Sequence, residues 1–139
     1  MKKIIKYTII YTIGGLLYGL TELLFRGHTH WSMLVAGGVC FVFLYLITTK
    51  SRDAAWKKCV MGGAVITTVE FVTGGIVNLG LGWNVWDYSG HPLNLLGQIC
   101  LLFTFLWMLL SLPAMWLCRF LDNRIFRRLG MRASGKRQV

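Results

Sequence analysis

The sequence predicts an all-α, polytopic membrane protein. It has four transmembrane helices in two tandem helical hairpins, both termini on the cytoplasmic side, and a basic amphipathic helix at the C-terminus. Three observations predict this. Of 139 residues, 55 % are hydrophobic and only 14 % charged, whereas a soluble domain is roughly a quarter charged. The apolar residues gather into four runs, each near the roughly 20 residues a helix needs to cross a bilayer. The fifteen Lys and Arg, against five Asp and Glu, cluster at the ends of those runs.

The first span is placed at residues 7–25. Lys2, Lys3 and Lys6 precede it as they would the apolar stretch of a secretory signal, yet no small-x-small cleavage site follows Gly14, Gly15 and Gly19. It therefore reads as an uncleaved span. The second is placed at 31–49, the third at 59–81 and the fourth at 93–117, where Pro113 is expected to introduce a kink. Together these form a membrane domain, 1–118. Residues 119–139 form a basic tail in which Leu121, Ile125 and Leu129 recur every four residues, joined by Phe126, among Arg124, Arg127, Arg128 and Arg132. Such a pattern suits a helix lying on the anionic lipids of the inner leaflet, with 133–139 as a frayed end.

Orientation follows from the Lys and Arg in short loops, which stay cytoplasmic during insertion. Fourteen of the fifteen fall in the N-terminal segment, the loop between the second and third spans, and the C-terminal segment. Only Arg26 falls on the other side, so the chain is expected in the plasma membrane with both termini inside. The same distribution accounts for the net charge of +10 without nucleic acid as a partner.

A weak internal repeat supports the two hairpins. Gly14, Gly15 and Glu22 in the first span align with Gly62, Gly63 and Glu70 in the third, and Gly37, Val39, Cys40 and Phe43 align with Gly97, Ile99, Cys100 and Phe103. The glycine pairs allow helix backbones to approach closely in lipid. Cys40, Cys59, Cys100 and Cys118 form no Cys-x-x-Cys pair and read as small apolar packing residues.

The glutamates need explaining, because a carboxylate at the centre of a span costs roughly 2.5 to 3.5 kcal/mol even on lenient scales. Gly74 and Asn78 follow Glu70 at four-residue steps with Thr67 and Thr73 beside it, and Asn94, Gly97 and Gln98 share a face of the fourth span. These define a candidate polar pocket in the outer half of the bundle, built from Glu22, Glu70, Asn78, Asp87, Asn94 and Gln98, for a cation, proton or polar solute. The plainer alternative is interhelical hydrogen bonding that fixes helix pairing. His28, His30 and His91 lack the spacing of a metal site, and neither metal nor cofactor is expected. Asp87 is read as a cap or a partner of Arg26, and Trp31, Trp83, Trp86 and Tyr88 as an interfacial aromatic belt.

The run Trp86-Asp87-Tyr88-Ser89-Gly90-His91-Pro92-Leu93-Asn94-Leu95-Leu96-Gly97-Gln98-Ile99-Cys100-Leu101, preceded by Thr67-Thr68-Val69-Glu70-Phe71, resembles the CmpB-like ABC-transporter type IV family of bacterial membrane proteins. The related vertebrate transmembrane-229 proteins share a similar pattern. Gly19-Leu-Thr-Glu22 is a shortened version of the Gly-x-x-x-Glu that opens the family's chains, and Gln98 stands where many members carry a basic residue. The resemblance implies a transport role. The chain has no phosphate-binding Gly-rich loop ending in Lys-Ser/Thr, so any ATP hydrolysis belongs to a separate subunit. The expected function is a small transporter or channel subunit, as a homo-oligomer or with separate transporter subunits. The alternative is a non-transporting membrane scaffold or regulatory subunit. An enzyme is not expected, because no nucleophile or metal motif accompanies Glu22 and Glu70.

Overall fold

The computed structural model describes residues 1–132; the end expected at 133–139 lies outside the described residues. Four long helices make up the bundle. Helix α1 is Lys2–Arg26 and α2 is Trp31–Lys50. Helix α3 is Ala55–Gly74, continued by a π-helical turn at Gly75–Gly80, and α4 is Leu101–Phe120, continued by a second π-helical turn at Leu121–Phe126. All four are long and apolar enough to cross a membrane. At 1.5 Å per residue, the 25 residues of α1 reach about 37 Å, against about 30 Å of hydrocarbon.

Helix α1 packs most extensively on α2, and α3 on α4, while α2 touches both α3 and α4. Two hairpins thus lie side by side, and glycines set their spacing. A Cβ on Gly14 would overlap Phe41 and press on the carbonyl of Gly37, and one on Gly63 would overlap Met108. Outward-facing apolar side chains such as Leu16, Leu20 and Leu24 on α1 and Leu102, Phe105 and Leu112 on α4 remain exposed, as a lipid-facing surface requires. Cys40, Cys59, Cys100 and Cys118 are all buried as free thiols.

The two ends of the bundle differ. At the basic end, which holds both described termini, Ile10, Tyr45, Cys118 and Phe126 form a fully buried core. Tyr45 meets Phe126 edge-on at 6.0 Å between ring centroids and Tyr7 at 6.3 Å. Its hydroxyl donates to Asp122 Oδ1 at 2.6 Å. Helix α4 therefore runs on past Arg119 without a break, with Leu121 and Phe126 turned into the bundle and Arg124, Ile125, Arg127, Arg128 and Leu129 exposed.

At the aromatic end, Gly27 closes α1 in the left-handed region, at φ 73°. A short loop leads to α2, and His30 caps that helix by accepting from the Ser32 amide. The α3–α4 connection holds one correction to the sequence reading: residues 93–100 are not the first turns of the fourth span. They form an antiparallel hairpin of β1 (Asn94–Leu95) and β2 (Ile99–Cys100). Leu93, Leu96 and Gly97 adopt φ of 55°, 53° and 71°, values a helix cannot contain. The aligned Gly97, Ile99 and Cys100 thus have no helical counterpart to Gly37, Val39 and Cys40, and only Phe103 of that set lies in α4. Apolar content could not distinguish this hairpin from helix, because it closes its backbone bonds locally: Asn94 Nδ2 donates to the carbonyl of His91 at 2.8 Å, and Gly97 N–H donates to Asn94 Oδ1 at 3.1 Å.

Candidate functional site: a buried carboxylate behind an aromatic cleft

The four-residue stripe on α3 and its π-helical turn sends Glu70, Gly74 and Asn78 into the protein, all buried. Glu70 is 3 % exposed. Its Oε2 accepts from Trp107 Nε1 of α4 at 2.9 Å, while Oε1 lies 3.5 Å from the hydroxyls of both Tyr18 on α1 and Tyr88 in the α3–α4 connection. Those two distances are long for O–H···O bonds, so one carboxylate oxygen is firmly held and the other loosely. Among the described residues no Lys, Arg or His forms an ion pair with Glu70. Burial, and after it the nearby Glu70 charge, push the Tyr88 hydroxyl well above its ordinary range, so Tyr88 stays a proton donor.

A second polar cluster, centred on Asn78, lies about two helical turns nearer the aromatic end. Asn78 Nδ2 donates to Gln98 Oε1 at 2.7 Å, and the Val85 amide donates to Asn78 Oδ1 at 2.7 Å. Trp86 Nε1 donates to the Gln98 carbonyl at 3.0 Å, and Gln98 Nε2 donates to the Leu96 carbonyl at 2.9 Å. Gly74 makes room for this cluster, because a Cβ there would overlap Gln98 Oε1 and touch Trp86. The π-helical turn at Gly75–Gly80 presents Asn78 to the connection it anchors. This cluster is saturated with internal bonds and acts as a clamp on the hairpin.

Between α1 and α4, from the aromatic end down to Pro113, runs a cleft of about 830 Å³. Its wall carries an aromatic strip. Tyr18 lies 6.0 Å from Trp107, Trp107 6.1 Å from Phe103, and Phe103 stacks on Tyr88 at 4.7 Å and 11°. Leu106, Leu109 and Leu110 line its lower part, and Glu22, Arg26, Asp87 and His91 its mouth. The three side chains that donate to Glu70 all line the cleft, so Glu70 sits directly behind this wall.

The six residues expected to form one pocket are therefore distributed. Glu22 and Asp87 line the cleft mouth, Glu70 is buried behind its wall, Asn78 and Gln98 bond to each other, and Asn94 staples the hairpin. Arg26 pairs with Glu22 at 3.1 Å and donates to the Val85 carbonyl at 2.7 Å. Asp87, the alternative partner, instead caps the Ser89 amide at 2.8 Å, and bonds from Ser89 hold its carboxyl below the usual range. Trp31 and Trp83 stay exposed, 5.8 Å apart, as a belt would be, but Trp86 is buried and Tyr88 faces the cleft. The aromatic donors to Glu70 escaped the sequence reading. Tyr18 and Trp107 were legible in one respect: they stand inside apolar spans, where interfacial anchoring gives no reason for a polar ring atom. Among the described residues no three His, Cys, Asp or Glu side chains come together as metal ligands.

Four apolar helices around a buried carboxylate define a multi-pass integral membrane protein, embedded in a lipid bilayer. A family model described as Putative ABC-transporter type IV matches residues 6–134. The chain belongs to this family. No curated protein and no solved structure matches it.

Proposed function

We propose that this chain is the membrane-spanning subunit of a transporter or channel, in which Glu70 and the cleft in front of it handle a solute or ion. The observation that carries the reading is Glu70 itself. An almost wholly buried carboxylate in an apolar span, without a cationic partner among the described residues and with one oxygen loosely held, is costly for a purely structural group. Its hydrogen-bond donors separate it from an open cleft by one layer of side chains. Transport membership in the family's description supports the same reading. With no nucleotide-binding loop in the sequence, energy coupling falls to a separate subunit, and the chain acts as a conduit rather than an enzyme. The positive-inside distribution supports an orientation in the plasma membrane with the basic end in the cytoplasm and the aromatic end outside. The cleft then opens in the outer half of the bilayer.

The test is flux into proteoliposomes of the full chain, reconstituted alone and with whatever subunits co-purify in mild detergent, using a trapped pH-sensitive dye and a potassium or proton gradient. Wild-type flux exceeds that of empty liposomes and Glu70→Gln returns it to baseline, with helicity by circular dichroism unchanged. Equal flux in wild type and Glu70→Gln overturns the reading.

One observation favours the second reading, a regulatory or scaffold subunit. The extension of α4 exposes Arg124, Arg127 and Arg128 beside Ile125 and Leu129, a surface suited to anionic lipid or another subunit. Under that reading, truncation after Phe120 abolishes partner co-purification while Glu70→Gln leaves it intact.

A further inference from the structure

The chain has five acidic residues, and their distribution is uneven. Asp53 and Asp122 belong to the basic end. The other three border the cleft: Glu22 and Asp87 line its mouth, and Glu70 lies behind its wall. Arg26 is the one Lys or Arg among the lining residues, and its guanidinium is already engaged by Glu22 and the Val85 carbonyl. Glu22 and Arg26 offset each other as a pair, which leaves Asp87 on the lining and Glu70 behind it as the carboxyl groups there that are uncompensated among the described residues, in a protein of net charge +10. Tyr18, Trp107, Phe103 and Tyr88 line the cleft wall, and aromatic π-systems carry negative potential that attracts cations, most strongly where water is excluded. Below, Leu106, Leu109 and Leu110 offer purely apolar contact. The volume of about 830 Å³ suits a drug-sized molecule.

We propose that the α1–α4 cleft binds a lipophilic cation, a positively charged centre carried on an apolar body, with the charge at the aromatic strip between Glu22 and Asp87 and the apolar part directed toward Pro113. This rests on the cleft being the site at which the protein handles its solute. A phospholipid phosphate fits worse, since Asp87 repels it and the one guanidinium on the lining, Arg26, is already engaged by Glu22 and the Val85 carbonyl. A small hydrated ion gains nothing from the aliphatic lower half.

The experiment uses two ions of nearly the same shape and opposite charge, tetraphenylphosphonium and tetraphenylborate. Each is equilibrated with the full chain in nanodiscs of zwitterionic phosphatidylcholine, with empty discs subtracted. Tetraphenylphosphonium binds at least about tenfold more tightly than tetraphenylborate, quenches Trp fluorescence, and is displaced by salt only weakly. Glu22→Gln combined with Asp87→Asn narrows the preference several-fold, and Phe103→Leu weakens the cation without restoring the anion. Both variants keep wild-type circular dichroism. Equal binding of the two ions, a preference for the borate, or an unchanged preference in the double carboxamide variant overturns the proposal. Binding is read without flux, so the two conclusions fail separately. Charge-indifferent binding with Glu70-dependent flux removes the lipophilic cation alone. Charge-selective binding with Glu70-independent flux upholds the site and removes the transport role.

Discussion

At the residue scale, Glu70 draws its hydrogen bonds from three different parts of the chain: Tyr18 of α1, Tyr88 of the α3–α4 connection and Trp107 of α4. Only the Trp107 bond has ordinary length, so Trp107→Phe is the variant that frees the carboxylate. Bonds of this kind in membranes average about 0.6 kcal/mol and reach about 1.7 kcal/mol. The variant should therefore stay folded and lose roughly that much stability in a detergent unfolding titration. Asn78 differs, because both of its polar atoms are used inside the protein. Asn78→Ala leaves Gln98 Oε1 and the Val85 amide without those partners, at about 1–3 kcal/mol for a buried unsatisfied group. A larger loss for Asn78→Ala than for Trp107→Phe, read by the same titration, would establish the clamp as structural and the Glu70 site as the tolerant one.

At the element scale, helix pairing depends on contacts too close for a side chain. A Cβ on Gly14 meets Phe41 Cβ and, at 2.9 Å, the carbonyl oxygen of Gly37. Backbone cannot rotate away as a side-chain tip can. Gly14→Val is expected to separate α1 from α2 at about 1–3 kcal/mol, the usual cost of overpacking, and to lower the thermal midpoint in detergent. Gly75, where an added Cβ meets nothing within 4 Å, supplies the control: Gly75→Ala leaves that midpoint close to wild type. The sequence identified the pairs Gly14-Gly15, Gly37-Gly38 and Gly62-Gly63 as close-approach glycines, but of the expected pair Gly74-Gly75 only Gly74 is one. The hairpin at 94–100 was not legible. A backbone that satisfies itself through Asn94 and positive-φ residues needs no polar composition to announce it.

At the scale of the whole molecule, the bundle has a latched end and an open one. At the basic end, Tyr45 ties α2 to the extension of α4 through Asp122, and Arg132 reaches the same carboxylate at 3.6 Å. Tyr45→Phe removes a buried bond to a charged group, worth about 1.5–3 kcal/mol, and should free the extension to proteolysis before the spans unfold. The aromatic end is held by the Asn78–Gln98 clamp, while α1 and α4 leave the cleft between them. The proposed orientation makes a direct prediction. An impermeant maleimide applied to intact cells labels Ser89→Cys at the aromatic end and spares Ser51→Cys at the basic end, the four native thiols being buried. Labelling of Ser51→Cys alone would invert the topology.

The sequence by itself determined the number of spans, the glycine-mediated pairing, and the stripe Glu70, Gly74 and Asn78. These depend on hydrophobicity and on periodicity within one helix, both of which are local. Only the tertiary structure decided which polar groups meet. Grouping Glu22, Glu70, Asn78, Asp87, Asn94 and Gln98 in one pocket requires knowing where α4 begins. Once its start moves from residue 93 to Leu101, Asn94 and Gln98 leave the helix face and turn into a clamp. Glu70 then faces aromatic donors more than fifteen residues away in sequence, because a hydrogen bond across a bundle is fixed by how helices pack and not by spacing along the chain.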